Sequence, residues 1–394
     1  MYTSQHRLIR ISIATSVAAV LYTCAIGAAA QQSASTSTGM AAISSAAPDA
    51  AKVDFAKAKP LPLPKYPEFS AERFNAEYAA ALDKPGTLEN PNYSRDNPGD
   101  GVLASDNPHV AMTSVTVKKK ENTGTANLPF STARADLDPQ STNTLWPYRA
   151  SGKLFFVDSG DTYVCSGAMI GRGIVVTAAH CVSQFGEKRF FSDFKFIPGY
   201  REGAAPFGVW TAAKVYAPPG YLDGTAPCIN GVVCEGDVAV IVLDPQKGPD
   251  NKNYYVGKRT GWYSYWLGKE PFTSSGLTHV TQIGYPSCLD NGERMQRNDA
   301  QGAVSASNHK NTVIGSLMCG GSSGGPWIAN FGIQPALTDT TPGAFARPNV
   351  VIGVTSWGTI NQDVKRQGAS PFVSSNIGVL AKAACKDYPD ACND

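Results

Sequence analysis

From Lys153 onward the chain breaks into short apolar runs separated by turn residues. Leu154 to Val157, Tyr163 to Ile170, Ile174 to Thr177, Val209 to Tyr216 and Val238 to Leu243 make one set. Val280 to Tyr285, Val304, Val313 to Met318, Pro326 to Ala329 and Val351 to Trp357 make a second. Short runs of β-branched and aromatic residues bounded by Gly, Pro, Asn and Asp predict strands. Their spacing, with no helical periods between them, predicts an all-β sandwich or barrel rather than alternating βαβ units. A short helix is expected at about Ser375 to Ala384. The aromatic cluster Trp262, Tyr263, Tyr265 and Trp266 reads as barrel packing, with a substrate surface as the competing reading.

The chain in front has a different texture. Gln31 to Ala51 is rich in Ser, Thr and Ala, and Lys59 to Pro67 is rich in Pro, compositions that bury little. Residues 31–145 therefore read as a largely irregular pro-region or linker, with a helical stretch near Ser70 to Leu82 and a strand-like Met112 to Val117 able to dock. Lys118-Lys119-Lys120 reads as a solvated loop, with a processing site as the alternative. At the start, Arg7 and Arg10 precede an apolar stretch from about Ile11 to Ala30 that ends in Ala28-Ala29-Ala30. That is the pattern of a signal peptide over residues 1–30. A lipidated Cys24 is the rival, but Tyr22-Thr23 lacks the small residue such a signal wants. No later segment is apolar for long enough to span a bilayer, so the expected product is secreted, extracellular or periplasmic, with no stable membrane association after signal removal.

Composition narrows the classes further. The 394 residues exceed one catalytic unit, and 42% hydrophobic content is ample for a core. A formal charge of +2 gives no reason to expect a nucleic-acid partner. Loss of Cys24 with the signal leaves eight of the nine cysteines, and an even set in an exported chain reads as disulfides. There is no C-x-x-C pair, and the strand-rich part has only His180, His279 and His309, so no metal and no cofactor is expected.

The chemistry lies in two segments far apart in sequence: Thr177-Ala178-Ala179-His180-Cys181 and Gly321-Ser322-Ser323-Gly324-Gly325-Pro326. Each alone has a bland reading, a structural His beside Cys and a Ser in a glycine turn. Together they point to nucleophilic catalysis, because a serine hydroxyl attacks at neutral pH only when a base takes its proton and a carboxylate orients that base. Asp237, opening the apolar run Val238 to Leu243, is the carboxylate candidate. Its bland reading is a strand-end cap, and its competitors Asp223 and Asp244 open no such strand.

In its order of His180, Asp237 and Ser323 the chain resembles the chymotrypsin/trypsin-like serine peptidase family over roughly residues 146–385, and not the subtilisin or α/β-hydrolase orders. Cys165-Ser166-Gly167 and Ser356-Trp357-Gly358 resemble two further family segments. Ser322 and Gly284-Tyr285-Pro286 are more similar to the secreted bacterial, glutamyl-endopeptidase-like branch. The resemblance implies two packed six-stranded antiparallel β-barrels with a short C-terminal helix, in a protease domain over residues 146–394. It implies a catalytic triad of His180, Asp237 and Ser323 with an acyl-enzyme intermediate, and oxyanion donors from the amides of Gly321 and Ser323. Leu317 and Met318 would line the specificity pocket, with Ser356, Trp357 and Gly358 along the substrate backbone. A carboxylate that would select Lys or Arg is missing at Leu317, and Thr355 stands where many enzymes of the glutamyl branch place a His.

The resemblance also pairs Cys165 with Cys181. Cys228 with Cys234 and Cys385 with Cys392 are close enough for local loops, which leaves Cys288 with Cys319. Animal members place an Asp at the position of Ser322 to pair with a freed N-terminal amine, so that route of activation is unavailable here. The expected function is a secreted endopeptidase acting as a monomer on protein or peptide substrates. The alternatives are a catalytically silent binding protein on the same fold, and an exported adhesive protein whose leader is the functional part.

Overall fold

The computed structural model describes residues 43–45, 52–61 and 128–392, apart from 230, 248–249, 268–276, 306–310, 333–347 and 360–364. The apolar stretch at 11–30, the stretches near 70–82 and 112–117, and Lys118-Lys119-Lys120 lie outside the described residues.

Three strands precede the barrels: β1 (Ile43–Ser45), β2 (Lys59–Pro60) and β3 (Phe130–Arg134). The first barrel comprises β4 (Ser151–Asp158), β5 (Asp161–Met169), β6 (Ile174–Thr177), β7 (Ser192–Pro198), β8 (Trp210–Ala217) and β9 (Ala239–Leu243). These pair in the order β8-β7-β4-β5-β6-β9, and β8 with β9 closes the ring. A hairpin of β10 (Gln246–Lys247) and β11 (Asn253–Tyr254) follows, then β12 (Ser264–Tyr265), which lies parallel to a strand of the second barrel. That barrel comprises β13 (Leu277–Gly284), β14 (Gln296–Val304), β15 (Thr312–Gly315), β16 (Pro326–Ala329), β17 (Val350–Gly358) and β18 (Arg366–Pro371), in the order β17-β16-β13-β14-β15-β18, closed by β17 with β18. The fold is thus two closed six-stranded antiparallel barrels.

The barrel strands supply most of the core, and in the second barrel Leu128, Val232 and Val233 add to it. All eight residues of β4 and all five of β9 are buried, which is why Leu154 to Val157 and Ala239 to Leu243 read as continuous apolar runs. Some strands carry no such signature. β14 turns Gln296 and Asn298 inward, and β18 is built from Arg366, Gln367, Gly368, Ala369, Ser370 and Pro371, all buried. β7 does alternate, with Phe194 and Phe196 inside and Asp193 and Lys195 half-buried. Of the aromatic cluster, Tyr263 is fully buried, with its hydroxyl on the Pro147 carbonyl at 2.8 Å, while Trp266 stays 44% exposed.

At the C-terminus a wide turn (Ser374–Gly378) leads into α1 (Val379–Asp387). Leu380, Ala381 and Ala384 form its buried face, and Asp387 anchors it to β8 through Lys214 (3.0 Å) and the Tyr216 hydroxyl (2.8 Å). Four disulfides join Cys165 to Cys181, Cys228 to Cys234, Cys288 to Cys319 and Cys385 to Cys392, the pairs named above. Among the described residues no helix is long and apolar enough to cross a membrane.

The leader is not wholly irregular. β1 pairs with Val215–Ala217 of β8, and β2 runs parallel to Tyr163–Val164 of β5. Between them the Asp54 amide donates to Thr162 Oγ1 at 3.0 Å, and the Phe55 ring meets Phe155 edge-on at 5.0 Å, a contact worth about 1 kcal/mol. β3 belongs to the second sheet, paired in register with β14 from Phe130 opposite Ala300 to Arg134 opposite Gln296. The chain therefore joins the barrels upstream of residue 146.

Candidate active site

His180 sits on the 3₁₀ turn Ala179–Cys181 just after β6, and the Cys165–Cys181 bridge ties that turn to β5. Asp237 precedes β9, three residues after the Cys228–Cys234 bridge ends, and its carboxylate is fully buried. A buried charge needs donors, and Asp237 has three. The His180 amide reaches Oδ1 at 2.8 Å and His180 Nδ1 reaches Oδ2 at 2.8 Å. The Ser356 hydroxyl donates to Oδ2 as well. Asp223 instead closes a turn on the amide and hydroxyl of Thr225. Asp244 is held above the usual carboxylate range by burial, with Lys195 opposing.

With Nδ1 engaged, Nε2 is the free end of the imidazole: it is buried and has no hydrogen-bond partner among the described residues. No bond from Ser323 to Nε2 is formed in this arrangement, and contacts of this kind often tighten only around substrate. Ser323 itself is buried on the turn between β15 and β16. Its carbonyl accepts the Ser166 amide of β5 at 2.7 Å. Ser166 Oγ also donates to the Gly321 carbonyl at 2.8 Å and accepts the Tyr285 amide at 3.0 Å. One residue of the first barrel thus holds the turn at two points.

Gly324 completes the registration of the two barrels. Its φ of +75° is disfavoured for residues with a side chain, and a Cβ there would run into Thr177 Oγ1 and lie 2.6 Å from the Ser166 carbonyl and 2.8 Å from the Ala178 amide. Only glycine lets the serine turn approach the histidine turn this closely. On the other side the Gly324 amide donates to the Thr355 carbonyl at 2.8 Å, and the next residue, Ser356, is the one bonded to Asp237. Among the described residues the amides of Gly321 and Ser323 have no intramolecular acceptor.

Below this turn lies a neutral polar network that the sequence reading did not name. Ser316 Oγ donates to Gln282 Oε1 at 2.9 Å and accepts the Met318 amide at 3.1 Å. Gln282 Nε2 donates to Thr355 Oγ1 at 2.9 Å and also to Gln367. Gln367 Nε2 in turn reaches the Met318 carbonyl at 2.9 Å and Ser322 Oγ at 3.3 Å. Ser322 Oγ donates to the Cys319 carbonyl at 2.7 Å. Met318 and Trp357 are buried, Leu317 is half-buried, and Gly358 ends β17. The network's inward-pointing amides defeat hydrophobic pattern reading.

One cluster among the described residues has metal-ligand proximity: Cys165, His180 and Cys181. Its two sulfurs are bonded to each other, so they are not thiolate donors.

The family model described as Trypsin matches residues 139–377. Glutamyl endopeptidase of Bacillus licheniformis is 24% identical over 275 residues, covering 68% of this chain and 75% of that protein. Among solved structures, the protease Anisep from Arthrobacter nicotinovorans is 24% identical, with a TM-score of 0.46 over 61% of this chain and 94% of its own. The thermostable serine protease AL20 from an extremophilic microorganism is 22% identical, with a TM-score of 0.47 over 60% of this chain and 96% of its own.

Proposed function

The chain belongs to the trypsin family and is a serine endopeptidase, and from that premise we propose that it is exported and works through Ser323, His180 and Asp237. In this reading His180 Nε2 takes the proton of Ser323 as Oγ attacks the scissile carbonyl. The same nitrogen then delivers that proton to the leaving amine, which leaves an acyl-enzyme on Ser323. Water, deprotonated by Nε2, hydrolyses the ester and restores the serine. Asp237 holds the imidazole with Nδ1–H inward and stabilises the imidazolium formed at each step. The amides of Gly321 and Ser323 receive the negative charge that develops on the carbonyl oxygen. Protein or peptide substrates would lie along Ser356, Trp357 and Gly358, with Leu317 and Met318 beside the side chain next to the cut.

The observation that carries the reading is the 2.8 Å bond between His180 Nδ1 and Asp237 Oδ2, which leaves Nε2 without a partner. The pocket network supplies hydrogen-bonding groups without charge, which favours uncharged side chains before the cut over Lys or Arg. Export is supported by the four disulfides. The test is labelling by a fluorophosphonate together with casein hydrolysis. Wild type labels on Ser323, and Ser323→Ala, His180→Ala and Asp237→Asn each lose activity by on the order of 10⁴-fold. A folded wild-type chain that neither labels nor cleaves would return the molecule to the class of silent binding proteins.

A further inference from the structure

The strand β3 does more than extend a sheet. Thr132, at its centre, accepts the Leu317 amide on its hydroxyl at 3.2 Å. The same hydroxyl donates to Asn298 Oδ1, and Asn298 Nδ2 donates to the Gly315 carbonyl at 3.0 Å. Asn298 is fully buried, so its orientation is fixed by these bonds. Thr132 and Asn298 therefore bracket Gly315 to Leu317, the segment leading from β15 into the turn that carries Ser323. The neighbouring residues of the leader fill the space around it. Phe130 and the Leu128 carbonyl occupy the site where a side chain on Gly315 would go, the latter 2.8 Å from a Cβ built there. Leu128 is buried with Val232, Val233, Ala303, Val313 and Trp357.

Ser322 cannot make the ion pair with a freed N-terminal amine that an aspartate there would make. Its hydroxyl is satisfied by the Cys319 carbonyl within the turn and by Gln367 of β18. Something else has to set the wall against which the substrate side chain rests. We propose that Thr132 is a positioning residue for this wall, and that segment 128–134 does by lateral strand pairing what an inserted terminus would do by charge. The inference rests on the proposed function, because it assigns Leu317 to the substrate pocket. It implies that the active form retains the chain from Leu128 onward.

The test uses the full chain carrying Thr132→Val, which keeps the shape and removes the hydroxyl, and Thr132→Ser, which restores it. The readouts are kcat and KM for two peptides differing only in a large apolar residue or alanine before the cut, the melting temperature, and fluorophosphonate labelling. Leaving the Leu317 amide without its acceptor should cut the preference for the larger residue by on the order of 10-fold, mainly through KM. Thr132→Ser should recover it, and labelling of Ser323 should persist in both variants. Unchanged selectivity in Thr132→Val, with or without a lower melting temperature, overturns the inference, as does Thr132→Ser behaving like the valine variant. So does an active form whose sequenced N-terminus lies beyond Thr132 with selectivity intact. Failure of wild type to label would overturn the proposed function itself, so the two failures are distinct.

Discussion

Ser166 on the first barrel donates its amide to the carbonyl of Ser323 on the second at 2.7 Å. The proposed nucleophile Ser323 and the proposed base His180 come from different barrels, so their separation depends on how firmly the barrels are registered, and Ser166 is one of the points of registration. Its hydroxyl adds two more bonds, to Gly321 and Tyr285.

Ser166→Ala keeps the amide bond and strips out the hydroxyl. The buried Tyr285 amide is left without an acceptor and the Gly321 carbonyl without a donor, a loss of about 1–3 kcal/mol. We expect a lower melting temperature together with a fall in kcat of roughly 10-fold or more, since the Gly321–Ser322 peptide, which lies between the two proposed oxyanion donors, is no longer fixed. Thermal melts and steady-state kinetics on one preparation check both. A variant that loses stability but keeps kcat would separate barrel registration from catalysis.

Gly324→Ala is the severest small change the site can suffer. The new methyl meets Thr177 Oγ1 and the Ser166 carbonyl, and the backbone there is already left-handed, so the serine turn must withdraw from the histidine turn. A displacement of this kind should remove on the order of 10²-fold or more of activity. Fluorophosphonate labelling rates measure it, and a rate equal to wild type would show that the turn has room that the geometry denies it.

Arg134 ties β3 to the short turn before β14 by bonding Asp290, through Nε at 2.7 Å and again through Nη2. The guanidinium, helped by Gln296, holds the Asp290 carboxyl below its ordinary range, against the opposing effect of burial. A carboxyl depressed in the folded state contributes stability above its unfolded value of about 3.9 and loses it as pH falls through the folded value. The melting temperatures of wild type and Asp290→Asn should therefore differ at neutral pH and converge in acid below that range. A gap that stays constant with pH would mean that the ion pair contributes nothing to folding.

The candidate site has plainer marks in the sequence than the barrels that carry it. His180 and Ser323 sit in compact local motifs, and Asp237 is marked by the apolar run it opens. Of the strands, β4, β6 and β9 announce themselves because both faces are buried. β14 and β18 do not, since they turn Gln296, Asn298, Arg366 and Gln367 inward, and Gln296, Asn298 and Gln367 find there hydrogen-bond partners for polar groups that a pattern reading assigns to solvent. β7 has a readable alternation, Phe194 and Phe196 inside and alternating with Asp193 and Lys195, too short to stand out from the loops around it. The roles of Ser166, Gln282 and Gln367 were invisible because each rests on contacts between residues tens of positions or more apart, and so were β1 to β3, whose pairing is decided by the strand they meet. The bond of Ser356 to Asp237 belongs with these.

β1 and β2 lie on parts of the first barrel that its own strands leave open. Val215 and Tyr216 of β8 and Tyr163–Val164 of β5 each have a barrel neighbour on one side and a leader strand on the other. Without the leader, both stretches would present unpaired main-chain N–H and C=O groups beside apolar side chains, a template on which a second chain can add a strand. The leader thus bears on colloidal behaviour as well as on folding. A preparation stripped of residues 43–61 would self-associate more readily, even if each molecule kept its candidate site intact.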